Sequence, residues 1–424
     1  MILIKDGRVI DPERGVDDIL DIVIDDGVIQ NIGKYQRDER YEHIIEASGL
    51  VVAPGLVDVH VHFRDPGLTY KEDIDTGAQS AAKGGFTTVV CMANTSPVAD
   101  NPDTLRDIAD KAKKADIRVL AVAAVTKGLQ GRELTDMASL LGAGAVGFSD
   151  DGMPIKDIAL MTEALIRAKE LNAVISLHEE EPSLIAQSGI NAGVVAQQLK
   201  LAGAPAAAED VLVARDCMLS LYTGARVHLQ HLSSKNAVKL VRLAKQMAAP
   251  VTAEATPQHF SLCEEAVLEC GTLAKVNPPI RTREDRYEII EGLKDGTIDI
   301  IATDHAPHSR EEKQRAFGDA PSGVIGLETV LALGITKLVR KGHLTMSDLI
   351  EKMSLNPARL YGLNAGRIAQ GAPADLVLFD PNKEWVVRED QFFSKSANSP
   401  FIGKTLYGLV QYTLCGGKIV YKAR

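Results

Sequence analysis

The chain has 424 residues, of which 45% are hydrophobic and 25% are charged, a balance typical of soluble globular proteins. Its formal net charge of −10 argues against nucleic acid as a main partner, because a phosphate backbone needs a basic binding face. A small anionic substrate remains compatible with this charge, since it requires only a local cluster of positive groups.

The cysteines and the apolar runs predict a cytoplasmic protein. The five cysteines are scattered and form no Cys-x-x-Cys pair, which fits a reducing compartment. Residues 1–7 resemble a short strand and lack the apolar core of an export signal. No run approaches the ~18 apolar residues of a membrane span, so we expect no membrane association.

Both ends of the chain have the pattern of β-structure. Residues 1–54 contain short apolar or alternating runs separated by turn signals such as Asp6-Gly7 and Ser48-Gly49, and this spacing predicts strands with hairpin turns. Residues 363–424 have the same character. The simplest arrangement pairs the two ends into one small domain, a β-sandwich built from 1–54 and 363–424.

Residues 55–362 alternate between strand-like and helix-like patterns. The predicted strands are 57–63, 87–93, 117–125, 145–149, 173–177, 226–230, 250–255 and 298–303, with helical patterns between them such as 103–115, 157–171, 209–223 and 234–247. Eight strands alternating with helices are typical of an α/β fold of the (β/α)8 TIM-barrel type. The alternative, a doubly wound open sheet, should carry a Gly-rich turn after its first strand, and none is present.

Side chains that can bind metal follow most of these strands. Barrel enzymes place their catalytic groups at the carboxyl ends of the strands, so these side chains should converge. Because strand side chains alternate between faces, His60 and His62 of the His-x-His sequence project to one side. The candidate metal ligands are His60, His62, Asp151, His178, His231 and Asp304.

Six such ligands exceed the needs of one tetrahedral zinc ion and suit two ions that share a carboxylate and a water. Two cations on one water lower its pKa towards neutral and supply a bridging hydroxide as nucleophile. Asp304 would act as the catalytic base, taking the proton of the water and passing it to a leaving nitrogen.

Three residues near these ligands leave alternatives open. Asp150 could replace Asp151 as a ligand, and Glu179 could support His178. His228 has the wrong strand parity relative to His231 and is not expected to bind metal. The remaining histidines that we expect to be structural or solvent-facing are His43, His259 and His343.

The segment 57–67, VDVHVHFRDPG, resembles the first-strand signature of the amidohydrolase superfamily, and within it that of the class I bacterial-type dihydroorotases. Further matching segments are CMANT at 91–95, FSDDG at 148–152, LHEE at 177–180, TDHAPH at 303–308, GLET at 326–329, NPAR at 356–359 and GAPADL at 371–376. The resemblance covers essentially the whole chain, and the motifs together are far more specific than His-x-His alone.

This resemblance implies zinc-dependent, reversible hydrolysis of (S)-dihydroorotate to N-carbamoyl-L-aspartate, with ring closure as the direction of pyrimidine biosynthesis. It implies two Zn²⁺ ions per subunit, and a bridging Asp151 matches class I members of the family. It also implies a homodimer and allows aspartate transcarbamoylase as a protein partner.

The substrate carries one carboxylate. If the strand continues as far as Arg64, this residue lies on the face of His60 and His62, where it could offer a bidentate guanidinium to that group. Asn94 and His308 could add donors, and the resemblance places Asn277 and the backbone near Gly323 around the ring. The substrate-binding candidates are His62, Arg64, Asn94, Asn277, His308, Ser322 and Gly323. Ser322 departs from the bulkier residue of the family pattern. The alternative for Arg64 is a surface salt bridge with Asp65 or Asp73.

Two other functions remain as alternatives. Hydantoinases, dihydropyrimidinases and allantoinases share the superfamily, but many of them bridge their metals with a carboxylated lysine after strand 4, where this chain has no lysine before Lys156. An inactive scaffold for aspartate transcarbamoylase should have lost metal ligands, and none of the six is missing. The charged stretch 309–321 is either a mobile loop over the site or a solvated turn without a catalytic role.

Overall fold

The computed structural model describes residues 1–37 and 40–423. Within these residues the strands are, in chain order, β1 (Ile2–Asp11), β2 (Val16–Asp25), β3 (Val28–Gly33), β4 (His43–Glu46), β5 (Val51–Pro54), β6 (Leu56–Val61), β7 (Phe86–Cys91), β8 (Arg118–Ala121), β9 (Ile175–Leu177), β10 (Val227–Leu229), β11 (Val251–Ala255), β12 (Ile300–Ile301), β13 (Leu376–Val386), β14 (Thr405–Cys415) and β15 (Lys418–Lys422).

The α-helices of the described residues are α1 (Ile74–Gly84), α2 (Pro102–Ala112), α3 (Met137–Gly142), α4 (Ile158–Glu170), α5 (Val194–Gln198), α6 (Ala207–Thr223), α7 (Lys235–Gln246), α8 (Pro257–Ser261), α9 (Ala266–Cys270), α10 (Arg283–Asp295), α11 (Arg310–Lys313), α12 (Val330–Gly334), α13 (Met346–Ile350) and α14 (Asn356–Leu360). Short 3-10 turns lie at Lys127–Leu129, Pro182–Leu184, Gly271–Ala274 and Glu389–Gln391, and π-helical turns at Ile335–Val339 and Glu351–Leu355.

Strands from both ends of the chain form one sheet. Its strand order is β15-β14-β13-β5-β1-β2-β3, with β4 paired to β1. The two ends meet where β5 pairs antiparallel with β13, for example Val52 opposite Leu378. Along β13 the side chains alternate between two cores: Leu376 and Leu378 join the core of the terminal sheet, whereas Val377 and Phe379 face the barrel. The prediction that the two ends of the chain form a common sheet is therefore confirmed.

The middle of the chain forms a parallel barrel with helices outside it. Its strands lie in two sheets, β6-β7-β8 and β9-β10-β11-β12. Single bridges join the sheets at both seams: Phe148 pairs with Ala123 and Ile175, and Val61 pairs with His305. The (β/α)8 expectation from the alternating pattern is confirmed.

Two of the predicted barrel strands are shorter than the sequence suggests because side chains replace ladder bonds. After β8, the Asp150 carboxylate accepts the backbone N–H groups of Val125 and Thr126 at 2.7 and 3.1 Å. After β12, Thr303 donates its N–H and its hydroxyl to the buried Asp58 carboxylate of β6, at 3.2 and 2.5 Å. The predicted strand at 145–149 is present only as a short segment around Phe148, which bonds to residues on both sides.

The predicted long helices form with small shifts at their ends, which capping explains. For α4 the side chain of Asp157 accepts the backbone N–H groups of Ala159 and Leu160. For α6 the chain turns into the left-handed region at Gly224, with φ of 69°, where glycine carries no steric penalty. Among the described residues, no helix combines the length and the apolar character that crossing a bilayer requires.

Candidate active site and metal centre

His60 and His62 end the first barrel strand, and their rings lie side by side with centroids 5.3 Å apart. All residues of β6 are buried, and because side chains alternate along a strand, the rings of His60 and of His62, which follows β6, lie on the same side. His60 is fully buried and His62 is 6% exposed. The two imidazoles therefore form the floor of the site.

The carboxylate of Asp151 belongs to two groups of potential metal ligands. One group is His60, His62 and Asp151, and the other is Asp151, His178 and His231; within each group the ligand atoms lie within 4.8 Å of one another. Asp151 Oδ1 lies 3.5 Å from His60 Nε2 and 3.6 Å from His178 Nδ1. A shared carboxylate between two nitrogen pairs is the geometry of a binuclear centre.

Asp304 lies on the other side of the first group. Its Oδ1 lies 3.0 Å from His62 Nε2 and 3.5 Å from His60 Nε2. Burial raises the pKa of Asp304, but the charges of His60 and His62 and a hydrogen bond from His62 outweigh it, so the pKa is lowered. The backbone of Asp304 has φ of 49° and that of His231 has φ of 33°, unusual values for residues with side chains.

The nitrogen and oxygen atoms of these residues are suitable metal ligands. His60 Nε2 is buried and has no hydrogen-bond partner in the described chain, and such an atom costs free energy unless a ligand binds it. His178 Nδ1 and His231 Nε2 approach to 2.9 Å. Imidazole nitrogens and carboxylate oxygens in this number are typical zinc ligands, so this group can bind metal.

Two glutamates that the sequence analysis did not single out fix the histidine rings. Glu254, on β11, accepts from His60 Nδ1 at 2.7 Å, and Glu180 accepts from His178 Nε2 at 3.0 Å. Metal-binding histidines usually donate their second nitrogen to a carboxylate in this way. The signal for Glu254 was present, because a glutamate inside the apolar run 251–255 must be paired when it is buried.

The alternatives considered for the ligand set are placed elsewhere by the structure. Asp150 accepts from the backbone N–H groups of residues 125–126 and belongs to neither candidate ligand group. Glu179 is buried against Asp216, which raises its pKa together with burial, and it is Glu180 that contacts His178. His228 donates from Nε2 to Glu254 at 2.9 Å and takes no part in either ligand group.

Above the histidines lies a cavity of about 580 Å³. It is lined by five of the six candidate metal ligands, with His60 buried beneath, and by all the candidate substrate-binding residues: His62, Arg64, Asn94, Asn277, His308, Ser322 and Gly323. Asn94 braces the ligands, because its Oδ1 accepts from His62 Nδ1 at 3.0 Å and its Nδ2 donates to Asp151 Oδ2 at 3.1 Å.

Arg64 lines the cavity and forms no salt bridge with any residue that the structure describes. Its Nε donates to the carbonyl of Pro307 at 3.3 Å. The two aspartates proposed as alternative partners are occupied, since Asp65 pairs with Lys111 at 2.7 Å and Asp73 pairs with Lys395. The guanidinium therefore keeps donors available to a ligand in the cavity.

His308 is a neutral donor beside Arg64. Its Nε2 donates to the carbonyl of Ser322 at 2.9 Å, and its Nδ1 accepts from Lys71 Nζ at 3.3 Å. Burial lowers its pKa to about 3, helped by the positive charges of Arg64 and Lys71. Gly323 lies against this ring with φ of 138°, and a Cβ atom there would lie 2.8 Å from that of Ala306, so no side chain fits at this position.

A closed α/β barrel that gathers histidines and a shared aspartate at the carboxyl ends of its strands is the arrangement of the amidohydrolases. Among solved structures, the L-hydantoinase (dihydropyrimidinase) from Arthrobacter aurescens superposes with a TM-score of 0.88 at 27% identity, over 99% of this chain and 96% of that one. A D-hydantoinase superposes with a TM-score of 0.87 at 24% identity, over 99% and 95% of the two chains, and shows the same fold.

The family follows from sequence relatives. Residues 49–237 match the dihydro-orotase-like family model. The dihydroorotase of Clostridioides difficile is 62% identical and that of Clostridium acetobutylicum 54% identical, each over the full length of both chains. The chain belongs to the dihydroorotase family and is a cyclic amide hydrolase. The predicted superfamily, fold and enzyme class are thus confirmed.

Proposed function

We propose that this chain catalyses the reversible hydrolysis of (S)-dihydroorotate to N-carbamoyl-L-aspartate. The observation that carries the proposal is the position of Asp151, which joins both ligand groups and lines the same cavity as the Arg64 guanidinium. Dihydroorotate has a cyclic imide that is cleaved and a carboxylate that must be bound. The candidate metal ligands in this cavity suit the imide, and the Arg64 guanidinium suits the carboxylate. Full-length identity to dihydroorotases supports the same substrate.

The proposed cofactor is Zn²⁺, with two ions per subunit. His60, His62 and Asp151 would hold the first, and Asp151, His178 and His231 the second, with Asp304 beside the first group. When bound, the metal would supply activation of a water and polarisation of the ring carbonyl. Glu254 and Glu180 would hold the imidazoles in the tautomer that leaves the other nitrogen free for the metal.

Asp304 is the residue that we propose moves the proton. In the hydrolytic direction a water oxygen forms a bond to the ring carbonyl carbon, and Asp304 takes the proton that the water loses. The carbon–nitrogen bond then breaks, and Asp304 gives the proton to the ring nitrogen that leaves. In ring closure the same carboxylate takes a proton from the ureido nitrogen, so one group serves both directions.

The substrate carboxylate would bind at the Arg64 end of the cavity. Arg64 could bind it with two parallel hydrogen bonds, and Asn94 and His308, which line the same cavity, could contact it as well. Asn277 Oδ1 accepts from Ser322 Oγ at 3.1 Å, and both residues line the cavity together with Gly323, so we propose that these groups contact the ring. In this proposed pose the imide carbonyl would lie over the histidines.

A substrate comparison tests the function. The purified protein should turn over dihydroorotate, while hydantoin and dihydrouracil, which lack the carboxylate, should react far more slowly. Preference for the uncharged rings would replace the proposal with the hydantoinase alternative. Many members of that alternative bridge their metals with a lysine, whereas here Asp151 belongs to both candidate ligand groups and Lys156 is exposed, which supports the dihydroorotase proposal.

Metal analysis tests the cofactor. A well-occupied preparation should contain close to two equivalents of zinc on the binuclear model, and chelation should abolish turnover until Zn²⁺ is restored. A metal-free protein that still opens the ring would contradict this part of the proposal.

Family membership also leads us to propose a cytoplasmic homodimer that can associate with aspartate transcarbamoylase. Analytical ultracentrifugation should give the mass of a dimer, and co-elution with the purified transferase would show association. A monomer that elutes separately at all protein concentrations would contradict both.

A further inference from the structure

Two lysines beside the cavity are buried without an acidic partner. Lys275 is 2% exposed and Lys313 is 4% exposed, and neither ammonium group forms an ion pair among the residues that the structure describes. A buried charge is costly unless its donors are satisfied. Both groups are satisfied by backbone carbonyls of one segment, residues 317–323, which we call the cavity strap.

Lys275 binds the first half of the strap. Its Nζ donates to the carbonyls of Phe317 at 2.6 Å, Gly318 at 3.4 Å and Ala320 at 2.7 Å. The backbone completes the attachment, since the N–H of Gly323 donates to the carbonyl of Lys275 at 2.9 Å. Three convergent carbonyls are enough for the three protons of one ammonium group.

Lys313 binds the second half of the strap. Its Nζ donates to the carbonyls of Pro321 and Gly323, each at 3.0 Å. Asn398 adds a bond from its Nδ2 to the same carbonyl of Gly323 at 3.0 Å. Burial lowers the pKa of Lys313 to about 7, and the nearby charge of Lys275 contributes, which agrees with two cations held close together by the strap.

The strap carries groups that face the substrate cavity. Ser322 and Gly323 line it, and the carbonyl of Ser322 orients the ring of His308. The chain at Gly189, next to the cavity-lining Ser188, also packs closely on Lys275. A Cβ atom on Gly189, at φ of 79°, would lie only 2.4 Å from Lys275 Cγ. The side chain of Lys275 therefore fills the junction between segments that form the cavity wall.

We propose that Lys275 and Lys313 are positioning residues that hold the cavity strap in its substrate-binding conformation. They touch neither the ligand groups nor the reacting atoms. Their effect should thus appear in substrate affinity and in order of the strap, and much less in the chemical step. The affinity part of this proposal rests on the proposed function, whereas the order of the strap can be measured without substrate.

The test uses Lys275→Met and Lys313→Met in the full chain, loaded with zinc. Lys352→Met is the matched control, because Lys352 is also buried and its Nζ also donates to a backbone carbonyl, that of Ile298 at 2.8 Å, outside the cavity. Each variant is compared with the unmodified protein for KM and kcat with dihydroorotate, for zinc content, and for amide hydrogen exchange over residues 315–323.

We expect KM to rise roughly tenfold or more in both strap variants, the effect of losing charge-assisted bonds, with kcat within about threefold and zinc content unchanged. Exchange over 315–323 should accelerate at least roughly tenfold without substrate. Lys352→Met should lower thermal stability but leave KM and strap exchange unchanged.

Unchanged strap exchange in both lysine variants would overturn the proposal, as would an equal rise of KM in Lys352→Met. If Lys275→Met does not fold, Lys313→Met alone decides the outcome by the same measurements. Failure of the unmodified protein to use dihydroorotate would refute the proposed function, and the exchange data would still decide the role of the two lysines.

Discussion

The carboxylate of Glu254 lies 2.7 Å from Nδ1 of His60. The same oxygen accepts the backbone N–H of His231 at 3.1 Å, and the second oxygen accepts from His228 Nε2 at 2.9 Å. His60 and His231 belong to different ligand groups. One buried carboxylate therefore sets the position of both groups, and the attraction of His60 together with the bonds from the two histidines lowers its pKa despite burial.

Replacing this carboxylate should loosen the metal centre. Glu254→Gln keeps the shape but loses the charge, so zinc affinity should fall by about 10–100-fold, measured by competition with a chelator. Asp21→Asn is the control, because Asp21 is fully buried in the terminal sheet and pairs with Lys5. Equal zinc affinity in Glu254→Gln and the unmodified protein would refute the role.

Removing the proposed base should stop turnover while the fold persists. Asp304→Ala should lower kcat by roughly 10²–10⁴-fold, the size expected for loss of a positioned acid–base group. Circular dichroism and the thermal midpoint should show a folded protein, and zinc content should be determined alongside. Full activity in this variant would exclude Asp304 as the proton carrier.

Substitutions at the adjacent residues Asp150 and Asp151 should have different effects, because only Asp151 is a proposed metal ligand. Asp151→Ala should lose zinc from both groups, because both include its carboxylate. Asp150→Asn should keep zinc and lose stability by about 1–3 kcal/mol, since it weakens buried bonds to the backbone of Val125 and Thr126. Zinc analysis and urea unfolding measure the two effects, and the reverse pattern would make Asp150 the ligand.

Arg64 should govern the affinity for the charged substrate. Arg64→Met should raise KM for dihydroorotate by roughly 10–100-fold through loss of a charge-assisted bidentate contact, with a smaller change in kcat. The surface variant Arg106→Met, at a residue paired with Asp103, provides the comparison in the same assay. A KM unaffected by Arg64→Met would place the substrate carboxylate elsewhere.

The buried His259 should make stability depend on pH. Its Nε2 donates to the carbonyl of Pro278 at 3.0 Å and its Nδ1 accepts from Thr256 at 2.7 Å; burial lowers its pKa to about 4 from the ordinary value of 6.5. Because the unfolded chain then binds the proton more readily, the free energy of unfolding should fall as the pH drops through this window, by about 3 kcal/mol.

The measurement is urea unfolding of the metal-free protein between pH 6.5 and pH 4, compared with His259→Gln. The other titrating groups are common to both proteins, so the difference between their pH profiles isolates His259. Parallel profiles would show that this imidazole does not carry the expected penalty.

The barrel could be predicted, and the candidate ligands could be chosen, because both signals are local in the sequence. Histidines and aspartates that directly follow several apolar strands indicate one shared site at the carboxyl ends of those strands. His228, which strand parity set aside, lies outside both candidate ligand groups and binds Glu254. The extent of the strand around Phe148 was harder to predict. It depends on contacts with distant barrel strands, which a pattern of five residues does not contain.

What the sequence could not supply are partners that lie far apart along the chain. Glu254 reaches His60 across 194 residues, and Glu180 could not be told from Glu179 before the turn of the chain was known. For the same reason the sequence could not decide whether the charged stretch 309–321 is a mobile loop or a solvated turn. Lys313 within it is buried, so it is neither a wholly solvated turn nor, in this conformation, an unattached loop.

The seam between the first and last barrel strands has a consequence for folding. There the ladder shrinks to one bridge, between Val61 and His305, and Asp58 supplies bonds that a neighbouring strand would normally make. His60 and His62 lie on one side of this seam and Asp304 lies on the other. Residues on both sides of the seam that bind one cation would couple closure of the barrel to metal binding. Removal of the metal would therefore also weaken the contact between the first and last strands.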